Sequence, residues 1–199
     1  MVSLTATSAL TDCHRNGRAA FFENDGVTLE ELPFLGMLRL QGPGADPAFC
    51  AQVAALAMPL SAPGNMGVQD ATSSKPALRC HWLAPNEWLL VTAAGAEPAV
   101  AQSLAPALAG RLALVTPISD SRLALAASGP CAAELLSKGC ALDLHRRQFM
   151  PGETTVTRFA KVAGMITRTG AERYELYVDR SQARYVWQWL IDAAGEFAV

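Results

Sequence analysis

The sequence predicts an α+β protein whose two halves follow one plan, and three observations lead there. Short runs such as Met37–Gln41 and Arg122–Ala127 alternate apolar and polar residues, the period of half-buried strands, while Ala183, Val186, Trp187, Leu190, Ile191 and Ala194 recur at helical spacing. Landmarks repeat at a constant offset. Gly42-Pro43 and Gly129-Pro130 stand 87 residues apart, Trp88-Leu89-Leu90 and Tyr174-Glu175-Leu176 stand 86 apart, and Val100 and Leu104 precede Val186 and Leu190 by 86. Finally, 51% of the 199 residues are hydrophobic and 17% charged, a soluble globular balance with enough apolar surface for a substantial core. Each unit is therefore expected as β-α-β-β-α with a further strand, the split βαβ, ferredoxin-like (βαββαβ) plan, two such pseudo-repeated units packing into one body. The boundaries read as a polar arm over 1–32, a first unit over 33–117 and a second over 118–199.

The arm carries turn signals at Asn16-Gly17 and Asp25-Gly26, with Phe21-Phe22 as an anchor. After the strand Met37–Gln41, Gly42-Pro43-Gly44 breaks the chain and Asp46 can cap a helix with Pro47 at its first position. Phe49, Val53 and Leu56 share one face of that helix, and Pro59 stops it. Residues Leu60–Pro76 are rich in Ser, Gly, Asn, Thr and Pro and read as a loop. Strands Leu78–Leu83 and Glu87–Thr92 flank the turn Ala84-Pro85-Asn86. Pro98 then opens a helix that Pro106 distorts, and Leu112–Val115 follows as a strand.

In the second half Gly129-Pro130 opens a short helix, with Glu134 near its start, Lys138 in its last turn and Gly139 beyond. Strands are expected at Thr154–Ala160, Val162–Arg168 and Tyr174–Val178. Asp179 and Gln182 have the spacing of a capping box for the last helix, which Gly195 ends.

A net charge of −2 gives no broad basic field for nucleic acid or anionic membrane. Charges or prolines interrupt every apolar run short of a membrane span. The opening M-V-S-L-T-A-T-S lacks the basic start of a secretory signal, so a cytoplasmic location is expected. Five cysteines without a C-x-x-C pair suit neither a disulfide framework nor a zinc ribbon, and Cys50 and Cys131 are expected as small apolar helix residues. No G-x-S-x-G, G-x-G-x-x-G or G-x-x-x-x-G-K-[ST] frame occurs.

Asp143 and His145 are two apart, so on a strand they would share a face and could act as an acid–base or metal pair. No third ligand stands near, so a hydrogen-bonded pair fixing a loop, or an interface contact, is expected ahead of catalysis. Trp187 belongs to the core stripe of the last helix, whereas Trp189 lies around the helix, where an aromatic anchor suits an interface and core packing serves as well. Arg158, Arg168, Arg173, Arg180 and Arg184, interspersed with acids, read as a solvated or protein-facing surface. The residues left as partner-interface candidates are Asp143, His145, Arg180, Arg184, Tyr185 and Trp189. No catalytic, cofactor-binding or metal residue emerges.

Several segments carry a family resemblance: Gly129-Pro130-Cys131-Ala132, Gly139-Cys140-Ala141-Leu142-Asp143-Leu144-His145, Arg180-Ser181-x-Ala183-x-Tyr185-x-Trp187-x-Trp189-Leu190-x-Asp192-Ala193 and Leu83-Ala84-Pro85-Asn86-Glu87-Trp88-Leu89. Over roughly residues 33–195 the chain resembles the gamma subunit of bacterial heterotetrameric sarcosine oxidase. More distantly it resembles the folate-binding domain of glycine-cleavage aminomethyltransferases. Thr169-Gly170-Ala171-Glu172-Arg173-Tyr174-Glu175-Leu176 stands where that family has T-G-E-x-G-Y-E-L, so the pterin-holding glutamate is replaced by Ala171. The first resemblance implies a non-catalytic assembly subunit of a complex that demethylates sarcosine to glycine with oxygen, giving hydrogen peroxide and a one-carbon unit. It places FAD, FMN and NAD in the alpha and beta subunits, zinc in the delta subunit, and tetrahydrofolate as the acceptor of the one-carbon unit. A subunit of a related N-methylglutamate dehydrogenase and a free-standing folate-binding protein are the alternatives. Isolated, such a chain is expected to self-associate through surfaces meant for its partners.

Overall fold

A computed structural model describes residues 6–14, 18–70 and 77–198. In chain order the elements are β1 (Phe21–Glu23), β2 (Thr28–Leu32), β3 (Gly36–Gln41), α1 (Pro47–Leu56), β4 (Met66–Gln69), β5 (Leu78–Ala84), β6 (Glu87–Thr92) and α2 (Glu97–Leu108). There follow β7 (Leu114–Pro117), β8 (Arg122–Ser128), α3 (Ala132–Ser137), β9 (Thr154–Phe159), β10 (Val162–Arg168), β11 (Arg173–Asp179) and α4 (Ala183–Ala194). The fold is α+β and forms two compact units. One comprises the residues up to Phe34, Asp120–Pro151 and the chain from Val156; the other comprises Leu35–Ser119 with Gly152–Thr155.

The first unit is a six-stranded sheet in the order β1-β2-β8-β11-β10-β9. Its helical side buries Leu135 and Leu136 of α3 and Val186, Trp187 and Leu190 of α4 against Leu125, Ile166, Leu176 and Val178. Strand alternation sends Glu175 and Tyr177 to the other face of β11, where they are buried too and the Tyr177 hydroxyl donates to Glu175 at 2.5 Å. The second unit is a five-stranded sheet in the order β4-β5-β6-β3-β7. There Phe49 and Val53 of α1 and Val100 and Leu104 of α2 pack on Leu38, Leu40, Cys80 and Leu90.

Local chemistry sets the helix starts. The Asp46 carboxylate accepts the Ala48 N–H at 2.9 Å, with Pro47 in the first turn, as its position predicts. Gly42 is required by packing, because a Cβ there would stand 2.4 Å from the Phe49 ring. Gly129 adopts φ 112° and a Cβ would lie 2.6 Å from the Gly26 carbonyl oxygen, so the bend before α3 admits only glycine without strain.

Four expectations are corrected. The described residues of 1–32 do not form a separate arm: β2 pairs with β8 through five residue pairs, β1 pairs with β2, and Leu10, Ala20, Val27 and Leu29 are buried. Polar composition hid this, because Glu30 and Glu31 sit within a strand whose partners lie nearly 100 residues away. The expected loop Leu60–Pro76 contains β4, an edge strand on β5. Gly67 and the brevity of that run mask its alternation, while residues 71–76, like Asn16-Gly17, lie outside the described residues. Asp179 and Gln182 form no capping box, since Asp179 is still paired with Arg122 in the sheet and a 3-10 turn, Arg180–Gln182, intervenes before α4. Cys131 precedes α3 at its N-cap instead of lying within it.

The constant offset seen in the sequence is also the offset of strand register. Leu40 faces Trp88 across β3/β6 and Ala127 faces Tyr174 across β8/β11. Trp82 faces Trp88 across β5/β6 and Arg168 faces Tyr174 across β10/β11. Leu40 faces Val115 across β3/β7 and Ala127 faces Leu29 across β2/β8. Each counterpart is displaced by 86 or 87 positions, and β2 stands beside β8 as β7 stands beside β3.

Candidate functional site

The residues singled out in the sequence fall at three places in the first unit. Asp143 and His145 lie in the turn after α3, both exposed, with Leu144 between them buried. They do not form a reactive pair. The Asp143 carboxylate accepts the His145 backbone N–H at 2.9 Å, and His145 Nδ1 accepts the Arg147 N–H at 3.3 Å. Each side chain fixes its own turn, the local competition with regular structure typical of these residues. Among the described residues, no group of three or more His, Cys, Asp or Glu is placed to hold a metal ion.

The second place is the outward face of α4. The Tyr185 hydroxyl donates to the Ala160 carbonyl at 2.8 Å, and Trp189 meets the Phe159 ring edge-on with centroids 5.0 Å apart. Both therefore clamp the β9–β10 turn, where Ala160 and Lys161 hold φ of 45° and 73°. Two consecutive left-handed residues suit a tight hairpin but strain non-glycine side chains. Trp189 is half-buried, while 43% of Tyr185 remains exposed. Arg180 donates to the Thr7 carbonyl, and Arg184 lies 3.4 Å from Asp12, so α4 also touches the N-terminal segment.

The third place is the hairpin Thr169–Arg173. Ala171 is exposed, and its carbonyl accepts from Arg168, as do those of Gly170 at 3.1 Å, Phe149 at 2.6 Å and Arg146 at 3.4 Å. Arg168 is 5% exposed, and its guanidinium carbon lies 5.6 Å from the Tyr174 ring centroid. Its donors are thus taken up inside the protein, and the hairpin is braced from below by a cation. Sequence reading placed Arg168 among surface arginines; its position at the inner end of β10, opposite Tyr174, was the missed signal. In the second unit Trp82 stands opposite Trp88, as Arg168 stands opposite Tyr174 in the first.

Also missed was Glu31. Its side chain is wholly buried, and its carboxylate accepts from the Ser8 hydroxyl, bonds His14 Nε2 at 2.7 Å and accepts the Ala20 N–H at 3.3 Å. It forms part of the lining of a groove of about 640 Å³ together with Cys13, Arg18, Phe21 and Glu30. A second groove, about 670 Å³ and in the second unit, is lined by Cys50, Leu60, Trp82, Pro85 and Trp88 and is predominantly apolar.

This arrangement offers fastened turns, a braced hairpin and a helix face. Comparison with known proteins agrees with the subunit resemblance. Residues 41–196 match the sarcosine oxidase, gamma subunit family. The chain belongs to this family. The sarcosine oxidase subunit gamma of Corynebacterium sp. (strain U-96) is 32% identical over 172 residues, covering 86% of this chain and 81% of that one. That of Corynebacterium sp. (strain P-1) is 31% identical over the same length, covering 86% and 82%. Among solved structures, a chain of heterotetrameric sarcosine oxidase from Corynebacterium sp. U-96, determined in complex with pyrrole 2-carboxylate, superimposes with a TM-score of 0.83 at 29% identity. The match covers 98% of this chain and 97% of that one. The glycine cleavage system aminomethyltransferase T of Bartonella henselae shares the fold at a TM-score of 0.68 and 19% identity, covering 92% of this chain and 56% of that one. The gamma-subunit match begins at Gln41, the last residue of β3, so β1 and β2 lie outside the matched region.

Proposed function

We propose that this gamma-family chain is a non-catalytic assembly subunit of a sarcosine oxidase complex. The complex oxidatively demethylates sarcosine to glycine with oxygen, giving hydrogen peroxide and a one-carbon unit as formaldehyde or methylene-tetrahydrofolate. Alpha, beta and delta subunits are the partners, carrying FAD, FMN, NAD, zinc and tetrahydrofolate between them, and the assembly is cytoplasmic. No helix among the described residues is long and apolar enough to cross a membrane. The observation that carries the reading is the end-to-end structural match with one chain of a heterotetrameric oxidase. It is supported by side chains that fix turns where a catalytic set would need free polar groups. The two units read as pseudo-repeated ferredoxin-like bodies, supported by the shared offset in register, with β2 supplying to one what β7 supplies to the other.

The exposed part of the α4 face, Arg180, Arg184, Tyr185 and Trp189, together with the Asp143–His145 turn, is the partner surface in this reading. Co-expression with the alpha, beta and delta chains should give one flavin-bearing assembly on size exclusion. Sarcosine-dependent oxygen uptake should appear only with the assembly. A chain that stays monomeric beside those partners, or that oxidises sarcosine alone, would overturn the proposal.

A further inference from the structure

We propose that residues 6–14 form a releasable strap, fastened to the six-stranded sheet by Glu31 and able to open while the sheet stays folded. The segment joins no strand of the sheet. Its backbone bonds close within itself, Thr11 N–H to Ser8 O, Cys13 N–H to Leu10 O and His14 N–H to Thr11 O, forming a short 3-10 turn. Its attachment to the rest of the unit is by side chains and by the Thr7 carbonyl, which accepts from Arg180. Leu10 is fully buried in the core, and Ser8 and His14 converge on Glu31. The Asp12–Arg184 pair, 3.4 Å apart with side chains 80% and 63% exposed, adds little in water. Glu31 itself rides on β2, which is held independently by its ladders to β1 and β8.

The strap and the sheet are therefore secured by different bonds, the condition for separate cooperative opening. Opening is feasible because of where Glu31 stands. A carboxylate stripped of its partners inside a closed core would be left unpaired and dry, at heavy cost. Glu31 instead forms part of a groove lining to which the strap contributes Cys13, so departure of the strap returns the carboxylate to water. What resists opening is the burial of Leu10 and the two side-chain bonds to a charged acceptor, with the exposed Arg180–Thr7 bond adding less.

Hydrogen exchange read by mass spectrometry on the full chain tests this, using wild type, Glu31→Gln and the double variant Ser8→Ala, His14→Gln. In wild type the amides of Leu10–His14 should exchange together and ahead of those in β8 and β11. Both variants should accelerate the strap amides roughly ten- to a hundred-fold, the range of a lost bond to a charged group, with β8 and β11 unchanged. Strap amides that exchange in step with β8 and β11 in wild type would overturn the proposal, as would variants that leave the strap rate unaltered. Global unfolding of Glu31→Gln would also overturn it, since Glu31 would then secure the sheet and not the strap.

Discussion

Replacing Arg168 with Met probes the cation that braces the 169–173 hairpin. Methionine fills much of the aliphatic stem's volume, so the change isolates the guanidinium. Four carbonyls lose a charged donor, those of Gly170, Ala171, Phe149 and Arg146. Arg146 and Ala171 are exposed and Gly170 is half-exposed, so their carbonyls regain water, whereas Phe149 is buried and its carbonyl does not. The one buried bond to a charged group, at the upper end of its range of about 1.5–3 kcal/mol, gives a loss of about 3 kcal/mol. At about 2–4 °C per kcal/mol for a chain of this size, Tm should fall by roughly 6–12 °C. Thermal and urea unfolding followed by circular dichroism measures it. Arg168→Lys keeps the charge but cannot fork to four acceptors, and should recover less than half of the loss. A Met variant within 0.5 kcal/mol of wild type would refute the bracing role.

Three further outcomes are expected. Burial, with a smaller contribution from Arg79, pushes His81 down to about 3, so the unfolded chain binds a proton that the folded one refuses. Stability should therefore fall as pH drops from about 6.5 towards 3, by about 1.4 kcal/mol per unit, and denaturant titrations of His81→Leu should lose that slope. Gly129→Ala should destabilise by more than 2 kcal/mol, whereas Gly95→Ala, also at positive φ but with open space around it, should cost only about 1; urea midpoints distinguish them. Arg184→Glu with Tyr185→Ala should leave the circular dichroism spectrum unchanged while weakening co-elution with the partner chains at least tenfold, and normal assembly would remove α4 from the partner surface.

Much of this protein is local and therefore readable without coordinates. Apolar strand-length runs placed β3, β5, β6, β8 and β10, and helical period the α4 stripe, within a residue or so of the observed bounds. Asp46-Pro47 and Gly129-Pro130 mark helix starts through their own backbone chemistry. The spacing of 86 or 87 residues between sequence landmarks also separates register pairs such as Leu40–Trp88 and Ala127–Tyr174.

Tertiary structure decided what depended on a distant partner. Glu31 reads as a surface acid until Ser8 and His14 reach it, and β2 reads as an arm until β8 offers its edge. Arg168 counts as one more exposed arginine until two turns aim their carbonyls at it. Residue types and spacing determine which groups carry charge and which face they occupy. Whether a charge is solvated, braced or buried depends on which chain segments close around it, and that is set by contacts more than 100 residues apart in sequence as readily as by neighbours.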